Sequence, residues 1–375
     1  MSCYKIFPLY FPQLYSIPEN DKWWGDGFTD WELVKSAKPL FQDHFQPRRP
    51  LYGHLDQSLP QTIEKQCSIA KSFGISGFNF YHYWFDGKVL LDAPVTNLLN
   101  NPDIQFEFFF TWANENWTRQ WIGKPGEILV KNSYERSDVL WNNHFEYLLR
   151  FFNDSRYTKI DGKPIFCIYR PEIIPNLDDM LDYFNTRAIQ EGFSGIHFIA
   201  MRAYILSGSQ KIYNKFESVI NFQPRFAINK YLASRSKLTK YLESFARKLP
   251  ESMQSILTRF VSNKSYRIYS YSDYINSLKN KDDYNCYGKE CYQIVFPDWD
   301  NTARYGDKAT LFSNVSIPQF KCAIDTVVDG QKNFKNKILF INAWNEWSEG
   351  AYIEPDEINT YKKLEIIKSF ASSDC

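Results

Sequence analysis

Ile338-Leu339-Phe340-Ile341 runs straight into Asn342-Ala343-Trp344-Asn345-Glu346-Trp347-Ser348-Glu349-Gly350 near the C-terminal end of the chain. Four consecutive apolar residues suit a strand buried on both faces, as strands are in a parallel sheet covered by helices. Two carboxylates and two indoles then stand where that strand ends, and in parallel barrels the active site is assembled from loops at the C-terminal strand ends. Glu346 and Glu349 are three apart, so a continuing strand would send them to opposite faces. They share one mouth only if the strand stops near Asn345 and the chain turns, which Ser348 and Gly350 permit.

The same arrangement recurs upstream. Residues 5–11 read as a strand leading to Pro12-Gln13 and then to Trp23-Trp24-Gly25-Asp26-Gly27-Phe28-Thr29-Asp30-Trp31, a tight aromatic surface loop by its glycines. Residues 62–73 place Ile63, Cys67, Ile69, Ala70 and Phe73 at helical spacing and close at Gly74. Strand 77–81 ends in His82-Tyr83-Trp84-Phe85, and after a helix at 92–100 the strand 106–111 ends in Trp112-Ala113-Asn114-Glu115-Asn116-Trp117-Thr118-Arg119. Helix 137–152, strand 164–169, helix 177–190 and strand 196–201 follow. Further strands are read at 218–222 and 293–296, the latter running into Pro297-Asp298-Trp299-Asp300-Asn301-Thr302-Ala303-Arg304, and helix 318–328 leads back to the opening strand.

Eight strands alternating with helices predict an α/β fold of the (β/α)8 TIM-like barrel type. Barrel closure brings all the polar and aromatic strand ends around one mouth, whereas an open doubly wound sheet gathers only the two at its switch point. No glycine-rich phosphate loop follows the first strand, which also weighs against a doubly wound nucleotide-binding fold. Residues 1–375 are expected to form one catalytic domain, a length such barrels reach with insertions.

Composition narrows the function. Aromatic residues make up 18% of the chain, with 11 Trp among them. Rings of this kind stack on the apolar faces of sugars as well as filling cores, so the excess suggests carbohydrate. The formal net charge of +1 provides no global field for nucleic acid, and no nucleic-acid partner is expected. The seven Cys are scattered and only Cys286 and Cys291 lie close together, which reads as reduced, cytoplasmic usage. No Cys or His spacing suits a metal, and neither metal nor cofactor is expected. The chain opens without a signal-peptide pattern and lacks a run of the ~18 apolar residues that a membrane span needs.

One segment breaks the alternation. Between residues 225 and 281 stand 12 Lys or Arg against three acids, interleaved with Leu232, Leu238, Leu242, Phe245, Leu249, Ile256, Leu257 and Phe260. Such a pattern suits amphipathic helices, either packed on the barrel or lying on an anionic membrane surface. The insertion is placed at about 225–290, before the penultimate strand, and it suggests a peripheral position on the inner face of the cell membrane.

Glycosyl chemistry typically needs two carboxyl groups flanking the anomeric carbon. Glu346 and Glu349 are the candidate pair. A carboxyl walled in by Trp344 or Trp347 would keep its proton, and one held by Asn or Arg donors would stay ionised. Residues 114–119, 299–304 and 345–350, together with 23–31 and 82–85, resemble the motifs of the WbsX family. These are bacterial proteins assigned to glycosyl transfer in surface-polysaccharide (O-antigen, lipopolysaccharide) biosynthesis and related to the glycoside hydrolase family 99 endo-mannosidases. The resemblance covers nearly the whole chain apart from the basic segment.

It implies a family 99-like barrel whose Glu-Trp-x-Glu-Gly motif supplies both working carboxylates. Glu346 would deprotonate the sugar 2-hydroxyl to form a 1,2-anhydro intermediate, and Glu349 would be the acid and then the base. His82, Trp84, Trp112, Asn114, Glu115, Trp117, Arg119, Asp300, Asn301, Arg304, Trp344, Asn345 and Trp347 would bind sugar. Tyr352 and Glu354 would shape the acceptor side. An oligosaccharide or lipid-linked glycan is the expected substrate, and transfer leads over retaining endo-hydrolysis or transglycosylation. A lectin-like barrel without turnover is the reading from another class.

Overall fold

A computed structural model describes residues 4–119, 124–204, 206, 209–233 and 266–371, the side chains of 119 and 124–126 excepted. The larger part of the basic segment, residues 234–265, lies outside the described residues, and so does any membrane-facing surface read there. Eight strands lie side by side: β1 (Lys5–Tyr10), β2 (Gly77–Phe85), β3 (Glu107–Trp112), β4 (Lys163–Ile168), β5 (His197–Arg202), β6 (Ser218–Asn221), β7 (Lys289–Gln293) and β8 (Ile338–Ile341). Their spatial order is β8-β1-β2-β3-β4-β5-β6-β7, and every neighbouring pair is parallel. The chain is therefore a mixed α/β fold around a large, mostly parallel sheet. Just past β7, Val295 forms a parallel bridge to Ile341 of β8. The Val295 N–H donates to Phe340 O at 3.0 Å and the Asn342 N–H to Val295 O at 2.7 Å, linking the two ends of the strand path.

Helices Pro60–Ser72, Ala93–Asn100, Asp138–Phe152, Leu177–Gln190 and Ile317–Gly330 cover the sheet. Serines start two of them: Ser137 Oγ accepts from the Leu140 N–H, and Ser316 Oγ from the Gln319 N–H. The helix Asp138–Phe152 buries Phe145, Leu148, Phe151 and Phe152, the stripe that a 3.6-residue period requires. Much of the aromatic excess fills this core rather than a binding face. Phe7 meets Phe109 with ring centres 5.0 Å apart, Tyr10 meets Phe78 at 5.1 Å, and Phe78 meets Trp344 at 5.2 Å. At the start of β2, Gly77 leaves room for its neighbour strand: a Cβ there would sit 2.2 Å from Glu107 O.

Three expectations are corrected. The stretch read as a tight surface loop, residues 23–31, is a loop only over 25–29: its ends belong to two short helices, Pro18–Trp24 and Asp30–Ser36, opened by Pro18 and by Thr29, the latter accepting from the Trp31 N–H at 3.2 Å. The seventh strand occupies Lys289–Gln293 rather than 293–296, since its pairing with β6 starts before the apolar run does. Cys286 and Cys291 are joined in a disulfide rather than reduced. The short hairpin Asn285–Cys286 against β7 turns through Tyr287 and Gly288, both at positive φ, and brings the two Cα atoms to 5.8 Å. Cys67, Cys167 and Cys322 are free thiols.

Candidate active site

Beyond β8 the chain does turn. Asn345–Glu346 pairs back with Ala351–Tyr352, a 3-10 turn spans Trp347–Glu349, and Gly350 closes it at φ 68°. This reversal brings Glu346 and Glu349 to the same cavity. A Cβ on Gly350 would stand 2.9 Å from Asp300 N, and the Asp300 N–H donates to Glu349 O at 2.8 Å, so the turn is pressed against the chain that follows β7. Asn345 fixes the other flank: its Oδ1 accepts from the Phe11 N–H at 2.8 Å and its Nδ2 donates to Phe11 O at 2.9 Å.

One guanidinium holds both carboxyl groups. Arg304 Nη1 donates to Glu349 Oε1 at 2.7 Å, while Nη2 donates to Glu346 Oε1 at 2.8 Å and to Asp30 Oδ2 at 3.0 Å. Ser348 Oγ donates to Asp30 Oδ2. Asp30 Oδ1 is buried without a hydrogen-bond partner among the described residues. The Arg304 guanidinium carbon lies 5.1 Å from the Phe11 ring centre. Burial works against the Arg304 charge, but Glu346, Asp30 and Glu349 outweigh it and hold its pKa well above the ordinary range. Burial pushes Glu346 well up from the carboxylate range. Arg304 opposes that shift, and the neighbouring Glu349 and Asp30 charges add to it.

The cavity has a volume of about 190 Å³ and lies at the C-terminal ends of the strands. Phe11 and Gln13 after β1, Tyr81 and Tyr83 of β2, Glu115 and Trp117 after β3, Tyr169 after β4, and Phe222 and Arg225 after β6 contribute to its wall. Trp23 and Trp24, from the first short helix, and Arg304 and Tyr305 complete it around Glu346 and Glu349. Burial raises the Tyr81 and Tyr83 pKa values, keeping both phenols protonated.

Of the predicted site residues, Glu346, Glu349, Glu115, Trp117 and Arg304 line this cavity. His82 and Trp84 do not. Alternation along β2 points Tyr81 and Tyr83 inward and turns His82 and Trp84 toward helix Asp138–Phe152. There the His82 and His144 Nε2 atoms share a hydrogen bond at 2.9 Å, Trp84 stacks on His144 at 4.6 Å, and burial lowers the His82 pKa to about 3. Trp112 joins Trp84 at a separate cavity of about 30 Å³ and donates through Nε1 to Trp84 O at 3.2 Å.

The other predicted residues serve as scaffold. Asn114 ties the chain after β3 to that after β4, donating to Arg170 O at 2.9 Å and accepting from the Arg170 N–H at 2.8 Å. Asp300 accepts from His44, Gln46, Arg48 and Thr302; burial opposes its charge, yet His44 and Arg48 keep its pKa below the usual carboxylate range. Asn301 accepts from the Thr310 N–H at 2.7 Å. Trp344 is core, and Trp347 stacks on Tyr352 at 3.7 Å while donating to Glu354 at 2.8 Å. Glu354 also accepts from Gln66 at 2.7 Å, and neither Tyr352 nor Glu354 lines the cavity. The Arg119 side chain lies outside the described residues. Sequence reasoning missed Asp30, Tyr81, Tyr83, Tyr169 and Arg225. The two tyrosines were within reach of a strict inside/outside alternation on β2. Asp30 was quoted as part of a loop and Arg225 as part of a basic run.

A parallel α/β scaffold with a pair of carboxyl groups in an aromatic cavity at its strand ends is the class that fold and site define together. Two solved structures share the fold. A glycoside hydrolase-like protein matches with a TM-score of 0.58 at 13% identity, covering 100% of this chain and 95% of the other. The GH99 endo-alpha-mannosidase from Bacteroides thetaiotaomicron matches with a TM-score of 0.54 at 12% identity, covering 97% and 96%. The sequence model of the glycosyltransferase WbsX family matches residues 6–367, and the chain belongs to that family. Two proteins named WxcX, both uncharacterized and from strains of Xanthomonas campestris pv. campestris, are each 28% identical over 355 residues. That match covers 94% of this chain and 47% of theirs, so the chain spans about half the length of the curated relatives it matches. Among the described residues no helix is long and apolar enough to cross a membrane.

Proposed function

We propose that the chain is a glycan-active enzyme of bacterial surface-polysaccharide (O-antigen) assembly, working at the mouth of a closed (β/α)8 barrel with Glu346 and Glu349 as its catalytic pair. The observation that carries this reading is Arg304, one guanidinium holding both carboxyl groups at 2.8 and 2.7 Å in a cavity walled by Trp23, Trp24, Trp117, Tyr81 and Tyr83. Closure is supported by the bridge between Val295 and Ile341, and the biological setting by membership of the WbsX family.

In this mechanism Glu349 gives its proton to the bridging oxygen as the bond from that oxygen to the anomeric carbon breaks. Glu346 takes the proton of the sugar 2-hydroxyl, whose oxygen closes on the anomeric carbon as a 1,2-anhydro ring. Glu349, now ionised, accepts the proton of an incoming hydroxyl as it opens that ring, and Glu346 returns its proton to the 2-oxygen. Removing a proton from an alcohol calls for a base of raised proton affinity, and the burial that lifts Glu346 supplies it. The incoming hydroxyl decides the outcome: a second sugar, free or lipid-linked, gives transfer, and water gives hydrolysis. The fold shared with an endo-alpha-mannosidase favours a retaining endo-glycosidase as the second reading.

The test is Glu349→Gln, assayed on O-polysaccharide oligosaccharides with products read by mass spectrometry. Turnover should fall by about 10²–10⁴-fold, the usual contribution of a positioned acid/base, while glycan binding persists. Equal turnover by variant and wild type overturns the paired-carboxylate mechanism. Release of free sugar in buffer without an added acceptor selects hydrolysis over obligate transfer.

A further inference from the structure

Two of the arginines at the strand ends are held by carboxylates. Arg304 is held by Asp30, Glu346 and Glu349, and Arg170, after β4, by Glu115 and Glu172. Arg225 differs. Its side chain lines the cavity, yet among the described residues it makes no hydrogen bond and no ion pair. Arg225 is half-buried, so its donors face the open cavity, and an oxyanion entering there would meet a guanidinium that no carboxylate of the described residues already holds.

The backbone that carries Arg225 is fixed. Asn342 Nδ2 donates to Gln223 O at 3.0 Å, Gln223 Oε1 accepts from the Ala227 N–H at 2.9 Å, and the Phe226 N–H donates to Phe222 O at 2.8 Å. Phe226 and Ala227, next along the chain, are buried. The guanidinium is therefore presented from a rigid base, the condition under which a planar fork of donors discriminates between ligands. The nearby Tyr169 raises its pKa, burial opposes that, and Glu349 adds to the increase, so the group stays charged. Although Arg225 begins the basic run of the sequence, it is a cavity residue.

We propose that Arg225 is an anion-recognising residue of the glycan subsite beside Glu349, so that the sugar bound there carries a carboxylate or a phosphate. The proposal rests on the glycan-active reading of the cavity and gives that reading a substrate class, an acidic sugar. A guanidinium pairs with either anion through parallel N–H donors, so the shared chemistry is a planar or tetrahedral oxyanion. The two sources are a uronic acid and a sugar phosphate.

The experiment titrates the full chain by tryptophan fluorescence, since Trp23, Trp24 and Trp117 line the same cavity. Glucuronate, galacturonate and mannuronate are compared with glucose, galactose and mannose in one arm, and glucose 1-phosphate and inorganic phosphate form the other, all at constant ionic strength. One charged class should bind about tenfold or more tightly than its neutral counterpart, as a charge-assisted bidentate contact implies. The arm that shows the preference identifies the source. The preference should vanish in Arg225→Met and be partly retained in Arg225→Lys. Equal response of the wild type to charged and neutral sugars, including no response to either, overturns the proposal, as does a preference undiminished in Arg225→Met. Turnover plays no part in the measurement, so a failure of the Glu349 mechanism is a separate result.

Discussion

At the residue scale, three carboxyl groups, Glu346 and Glu349 of the cavity and the buried Asp30, converge on one guanidinium, and Glu346 bears the consequence. Its pKa in the folded chain is raised above the ordinary 4.5, chiefly by burial, so the folded chain binds that proton more tightly than the unfolded chain does. The resulting stability is fully present below pH 4.5 and is lost as pH rises through the raised value. Glu346→Gln, which cannot ionise, should therefore gain stability relative to wild type as pH increases from 5 to 8, at up to about 1.4 kcal/mol per pH unit. Urea unfolding at both pH values reads this difference; a wild-type-minus-variant gap that does not move with pH rejects the assignment. Arg304→Gln should cost several kcal/mol, about 3–5 for leaving buried carboxylates uncompensated, and should abolish activity as well. Unfolding at neutral pH checks it, and a loss below about 1 kcal/mol at pH 7 would show that the carboxyl groups are not held by Arg304.

At the element scale, the site depends on a reversal only three residues long. Gly350 has φ 68° and no room for a Cβ beside Asp300, so Gly350→Ala should destabilise the fold by about 1–3 kcal/mol and displace Glu349. The expected signature is a drop in kcat with substrate binding little changed; full activity in a stably folded variant contradicts the role given to the turn. Strand β2 shows how far pattern alone could reach. His82 and Trp84 looked like ligands by residue type, but they share a face with each other and oppose Tyr81 and Tyr83. Which face is inward depends on where helix Asp138–Phe152 docks, and His144 on that helix takes up His82.

At the scale of the whole molecule, seven parallel strand pairings and one bridge decide whether the strand ends converge. If the path is closed, the amides of Val295 and Asn342 are interior ladder groups. They should exchange hydrogen as slowly as those of β1 and β8 in native-state exchange followed by mass spectrometry or NMR. Rapid exchange at both, with β1 protected, would mean an open sheet.

The sequence by itself determined the strand–helix alternation, the polar strand ends and the Glu346–Glu349 pair, because apolar periodicity and turn residues are local properties of the chain. The family membership was also legible, since several motifs stand in order. Only the tertiary structure decided that Asp30, 274 positions from Arg304, completes the carboxylate cluster, and that Arg225 faces the cavity rather than the exterior. It also decided that Asn114, Asp300, Asn301, Asn345 and Glu354 are spent on holding loops together. The physical reason is the same in each case. A polar side chain acquires its role from the partner it meets, and those partners come from strands and turns far away in sequence, which packing alone brings within hydrogen-bond reach.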